Sequence, residues 1–229
     1  MVEATRLRFL SLGLAAGMFL GLLTSVSADG HHDPVSSRLL VAGAYGDYLY
    51  YSKDDGRTWS RMTNLGARNW LGLTVAASSS LAANADGSYI VASSNLGATF
   101  LEATNAGARS WSGMAGSSNG QILVTGEWQG QLRVSRDAGC TWQATGPVQR
   151  WTDVSCSDDG RVMYACTYAW PSAQGGQRIY KSADVGWTWT LLTTAPAGTY
   201  LGIACSSNGQ VVAAAGNYGD YGTKTLTVS

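Results

Sequence analysis

Charge and metal-binding side chains are scarce in this 229-residue chain. Basic and acidic residues number 15 each, and charged residues make up only 13% of the whole. No run of one sign lies anywhere along it, which excludes the electrostatic footprint of a nucleic-acid binder. Histidine occurs twice, as the adjacent pair His31 and His32 in a polar stretch with no apolar periodicity. Cysteine is absent from the first half, and Cys140, Cys156, Cys166 and Cys205 form no C-x-x-C spacing. Those patterns argue against a zinc or dithiol redox site, and neither a metal nor another cofactor is expected. The cysteines are left as disulfides or buried thiols.

Long apolar runs are missing too, except near the start. Arg6 and Arg8 precede an apolar stretch from Phe9 to Leu23, and Val26-Ser27-Ala28 supplies the small residues of a cleavage site. Residues 1–28 are therefore expected to be a secretory signal peptide, with an uncleaved anchor as the alternative, and the mature chain to be secreted or otherwise extracytoplasmic. No other membrane association is expected. Residues 29–37 read as a flexible segment, and 38–229 as the folded part.

What is abundant is glycine and tryptophan: 29 Gly and 9 Trp stand against 4 Pro. This suits a turn-rich, all-β domain. One pattern, Ser-x-Asp-x-Gly-x-Thr-Trp, recurs as SKDDGRTW (Ser52, Asp54, Gly56, Thr58, Trp59), SRDAGCTW (Ser135, Asp137, Gly139, Thr141, Trp142) and SADVGWTW (Ser182, Asp184, Gly186, Thr188, Trp189). A fourth copy, SSNLGATF, carries Ser93, Asn95, Gly97, Thr99 and Phe100. The serines stand 41, 42 and 47 residues apart, the length of one four-stranded propeller blade. Trp70, Trp111, Trp151 and Tyr200 each open a short apolar strand, and three of those strands end in SSNG or SDDG, a strong hairpin signal. Ser78-Ser79-Ser80 replaces that turn in the second unit. Each unit thus reads as strand, tight turn, strand, variable loop, strand, box turn, strand.

These motifs resemble the Asp-box, or BNR, repeats of sialidases, sortilin-type receptors, xyloglucan-active hydrolases and the photosystem II assembly-factor family. The resemblance spans nearly all of 38–229 and implies an all-β propeller of four-stranded antiparallel blades, with about five units present. Its physical basis is local: the carboxylate accepts turn amides, Gly supplies positive φ, and Thr and Trp seat the outgoing strand. A residue needed in every blade serves the blade, so the box aspartates are expected to be structural rather than acids or metal ligands. The last unit stops at its third strand while the first begins at its second, so an incomplete ring is expected, with self-association or a small five-bladed ring as alternatives. Cys156 and Cys205 hold equivalent places in neighbouring inner strands and form the first pair to test for a disulfide.

Function is expected on the face opposite the tight turns, where loops are free to vary. Those loops carry Tyr45, Asp47 and Tyr48; Asp86; Glu127, Trp128 and Gln129; Tyr168, Trp170 and Gln174; and Asn217, Tyr218, Asp220 and Tyr221. Aromatics beside amides and carboxylates suit sugar stacking; the alternative is packing between blades. The interblade stretches NLGARNW, NAGARSW and PVQRW place Arg68, Arg109 and Arg150 at the start of successive inner strands. Together they would hold an anion; separately each would stack on Trp and bind loop carbonyls. Glu102 and Glu127 are the only glutamates after residue 28, and Glu127 with Asp220 is the one candidate pair for glycoside cleavage. The expected function is a noncatalytic secreted propeller that binds a glycan or protein. The alternatives are part of a sialidase- or xyloglucanase-like hydrolase, or a protein-binding propeller like the photosystem II assembly factors.

Overall fold

A computed structural model describes residues 39–76, 81–95, 97–168, 179–195, 198–218 and 222–228. The expected leader, the 29–37 segment, Ser78–Ser80, Trp170 and Asp220 lie outside the described residues. One 3-10 turn at Thr104–Ala106 apart, regular structure among the described residues is all strand.

The strands form antiparallel blades in chain order. The first is β1 (Leu40–Gly43), β2 (Leu49–Ser52) and β3 (Ser60–Met62). The second is β4 (Trp70–Val75), β5 (Leu81–Ala85), β6 (Val91–Ser93) and β7 (Leu101–Glu102). Next comes a six-stranded sheet of β8 (Trp111–Gly116), β9 (Leu123–Ser135), β10 (Gln143–Cys156), β11 (Met163–Thr167), β12 (Ile179–Ser182) and β13 (Thr190–Leu191). The last sheet is β14 (Thr199–Cys205), β15 (Val212–Tyr218) and β16 (Gly222–Val228).

The six-stranded sheet is two blades sharing a strand. Residues 143–145 of β10 pair with β9, whereas Trp151–Cys156 pair with β11 as the inner strand of the fourth blade. Strand β9, at 13 residues, would reach about 43 Å if straight. Yet the amide of Ala138, just past its end, donates to the Gln121 carbonyl just before its start, at 3.0 Å. β9 therefore doubles back over Glu127–Gly130, where Gln129 takes a positive φ of 62°. The variable loop expected in this blade is thus a tight hairpin.

Every seam between blades has its own apolar core. Val41, Leu49 and Met62 meet Trp70, Leu73 and Val91 at the first seam. Ile90 and Ala106 meet Trp111, Met114 and Leu123 at the second. Val124, Leu132 and Val134 meet Trp151, Val154 and Met163 at the third, and Tyr164 and Ile179 meet Tyr200, Ile203 and Val212 at the fourth. The indole of Trp151 sits where Gly126 leaves room, since a Cβ on Gly126 would lie 2.6 Å from the Trp151 Cβ. The Trp-led inner strands thus do what their sequence pattern predicts: no blade covers its apolar faces without a neighbour.

The fourth seam is also polar. Thr152 Oγ1 donates to the Tyr200 carbonyl at 2.6 Å, Asp153 Oδ2 accepts the Ile203 amide at 3.0 Å, and Ser155 Oγ accepts the Cys205 amide at 3.0 Å. Cys156 and Cys205, the first pair to test for a disulfide, are not bonded to each other. Cys156 is buried in the third core and Cys205 packs against the fourth. Equivalent register in adjacent inner strands aims the two thiols into different interblade layers. Burial also pushes the Cys166 thiol far up, out of the nucleophilic range.

The turn face is built by repetition. In each box the Ser hydroxyl donates to the third residue and accepts the Gly amide: Ser52 to Asp54 at 2.7 Å and from Gly56 at 2.9 Å, with the same pattern from Ser93, Ser135 and Ser182. Asp54, Asp137 and Asp184 accept both the amide and the hydroxyl of Thr58, Thr141 and Thr188. Hydrogen bonds led by the Thr hydroxyls hold the Asp54 and Asp184 carboxyls down at about 2. Burial pushes the Asp137 carboxyl up, but its hydrogen bonds from Thr141 and Ser135 bring the net shift below the ordinary range. The box tryptophans differ: Trp142 is 4% exposed, whereas Trp59 is 40% exposed, its indole donating to the Gly56 carbonyl.

The hairpin turns share that face and are linked across seams. Ser117, Ser157 and Ser206 each donate to the residue two places on, Asn119, Asp159 and Asn208. The Ser118 amide then donates to the Asp158 carbonyl, and the Asp158 amide to the Ser207 carbonyl, each at 2.7 Å.

Candidate functional site

The opposite face is assembled where each variable loop meets the interblade arginine that follows it. Asp47 bridges Arg68 and Ser88 bridges Arg109 as isolated antiparallel pairs, and Trp128 pairs with Arg150 between β9 and β10. The three arginines therefore occupy equivalent places at three successive seams. Their side chains engage different groups. Arg68 donates to the Leu65 carbonyl at 3.0 Å, to Ser88 Oγ at 3.0 Å and to Glu102 Oε1 at 3.1 Å. Arg109 donates to the Ala106 carbonyl at 2.8 Å and to Glu127 Oε1 at 2.8 Å. Arg150 lies 6.0 Å above the Trp128 ring. Arg68 and Arg109 thus each bind a loop carbonyl and a glutamate, while Arg150 lies over an indole.

The aromatics divide into two groups. On the first blade, Tyr45 is exposed, Tyr48 lies under Arg61 at 4.5 Å, and Asp47 accepts the Tyr48 amide and the Tyr50 hydroxyl. That hydrogen bond raises the Tyr50 phenol above its ordinary value. At the junction of the third and fourth blades, Trp128 keeps 39% of its surface open and stands 5.7 Å from Tyr168, ring to ring, at 54°. The Tyr168 amide donates to the Arg150 carbonyl at 2.8 Å and the Trp128 amide to the Ser110 carbonyl at 2.7 Å, so the main chain carrying each ring is tied down. Tyr218 closes β15 at the same rim, paired with Gly222.

Glu127 sits at the tip of the β9 hairpin with its carboxylate shared between two guanidiniums. Arg109 Nη1 is 2.8 Å from Oε1 and Arg133 Nη2 is 3.8 Å from Oε2. Its side chain is 15% exposed and folds over Gly130, where a Cβ would lie 2.2 Å from the Glu127 Cδ. Asp220, its proposed partner, is among the residues not described. Arg133 escaped the sequence reading, because it lies inside a strand rather than in a loop. Aligning units on their box serines would have flagged it: the same place is held by Tyr50, Val91 and Tyr180 in the other blades. Among the described residues no group of three or more His, Cys, Asp and Glu could hold a metal ion.

Comparison with known proteins bears on the fold. No protein-family model matches the chain, and no curated protein matches it in sequence. Solved structures do. An ancestral GH74 enzyme superposes with a TM-score of 0.66 at 15% identity, over 92% of this chain and 34% of that one. The GH74 xyloglucanase of Xanthomonas campestris gives 0.63 at 17% identity, over 84% and 35%. YCF48 bound to a D1 peptide gives 0.59 at 13% identity, over 83% and 61%. The chain has a β-propeller fold. This propeller spans about a third of the length of the two GH74 enzymes, and identities this low carry architecture alone.

Proposed function

We propose that this propeller is a noncatalytic, exported binding module whose loop face takes a glycan, with the Trp128 and Tyr168 rings as its platform. The observation that carries the reading is an open indole 5.7 Å from a second ring, beside a seam in which Trp151 is fully buried. A pyranose offers apolar C–H faces to such rings and hydroxyls to flanking polar groups, among which Gln149 and the Tyr180 hydroxyl are 3.4 Å apart. Pre-ordered rings lose little conformational freedom on binding. The engagement of Glu127 by two arginines weighs against catalysis at this position. A xyloglucanase among the similar structures is consistent with a glycan partner, and YCF48 with its D1 peptide keeps a protein ligand as the second reading.

A glycan array probed with the purified chain tests this. Binding that drops at least about tenfold on Trp128→Ala, with unchanged circular dichroism, is the expected result. Absence of binding to every sugar removes the glycan reading. Turnover of fluorogenic glycosides that Glu127→Gln abolishes replaces it with the hydrolase.

A further inference from the structure

The Arg109–Glu127–Arg133 cluster has more donors than the protein satisfies. Arg133 is only 14% exposed on its side chain, and its Nε is buried with no hydrogen-bond partner among the described residues. Its one charged neighbour of opposite sign is Glu127, at 3.8 Å, beyond hydrogen-bond reach. Burial lowers the Arg133 pKa, Arg109 lowers it further, and Glu127 opposes them. Two guanidiniums therefore share one carboxylate, and the more buried of the two keeps an Nε without an acceptor among the described residues. Buried polar groups are nearly always paired, so an orphaned guanidinium calls for an explanation. The fold does not supply one. Tyr50, Val91 and Tyr180 fill the same place in the other blades, so a blade closes without a cation there.

The ligand-facing surroundings suit an anion. Glu127, held by Arg109 and Arg133, directly precedes Trp128 in the hairpin tip, and Arg150 lies 6.0 Å above the Trp128 ring. Arg109 spends Nε on the Ala106 carbonyl and Nη1 on Glu127, leaving Nη2 without an acceptor among the described residues.

We infer that the cluster is an oxyanion subsite: Arg133 and Arg109, steadied by Glu127, take a carboxylate or sulfate carried by a sugar whose ring lies on Trp128. The inference rests on the glycan reading above and narrows it to acidic glycans. A planar carboxylate suits guanidinium donors in pairs, and a sulfate offers the same acceptors in tetrahedral form.

The test is equilibrium binding of the full chain to three tetrasaccharides: tetragalacturonic acid, its methyl ester, and a heparin-derived sulfated tetrasaccharide. The expected result is that at least one acidic probe binds about tenfold or more tightly than the methyl ester, and that Arg133→Gln removes the preference while leaving ester binding unchanged. Which acidic probe wins identifies the anion as carboxylate or sulfate. If Arg133→Gln does not fold, Arg109→Gln is read instead, with added salt lowering wild-type affinity for the acidic probe only. Equal affinity for ester and acid, lost on Trp128→Ala, overturns the subsite and keeps the glycan reading. Failure of every sugar overturns both.

Discussion

The two rims of this propeller follow opposite rules. On the turn rim, four boxes and three hairpin turns repeat the same hydrogen bonds, from Ser52 to Asp54 through Ser182 to Asp184. Toward the loop rim the side chains vary, and the equivalent strand positions two residues before each box serine hold Tyr50, Val91, Arg133 and Tyr180. The repeated groups are those a blade cannot close without; the unrepeated ones are free to answer to a ligand. Departure from the repeat is thus a better guide to function here than the repeat itself.

The sharpest way to break that contrast is to remove a residue that serves every seam. Trp151→Ala empties a fully buried site and is expected to cost about 3–5 kcal/mol, read as a lower denaturation midpoint. Ser135→Ala strands the Gly139 amide in a buried turn, and a loss of about 1–3 kcal/mol is expected by the same measurement. Acid tests the boxes collectively. Asp54 and Asp184 sit at about 2 in the folded chain against an ordinary 3.8, so their stabilisation is present above the ordinary value. It is lost as pH falls through the folded value, and thermal midpoints should decline between about pH 4 and pH 2. Asp54→Asn and Asp184→Asn together should flatten that decline; an equally steep fall in the double variant would refute the assignment. The smallest effect belongs to the loop rim: Trp128→Ala should leave stability within about 0.5 kcal/mol while removing sugar binding.

Most of the architecture was legible from the sequence because its signals are short-range. Box spacing located every Asp-type turn, SSNG and SDDG located the hairpins, and Trp70, Trp111, Trp151 and Tyr200 marked the inner strands. What escaped depends on register between blades. The pairing of Glu127 with Arg109 and Arg133 joins residues 18 apart and, through a doubled-back strand, residues that no local pattern relates. Cys156 and Cys205 likewise belong to different cores, and equivalent strand positions say nothing of that. Tight reversal at Gln129 was hidden because no Asn-Gly or Asp-Gly marks it.

The bonds from Ser118 to Asp158 and from Asp158 to Ser207 have a consequence for how such a chain can diversify. Each hairpin is clasped by the next blade rather than by itself alone, so a residue inserted into one would unhook two. Gain and loss of residues is thereby confined to the opposite rim, and the molecule's lineage can experiment with new partners without disturbing its clasp.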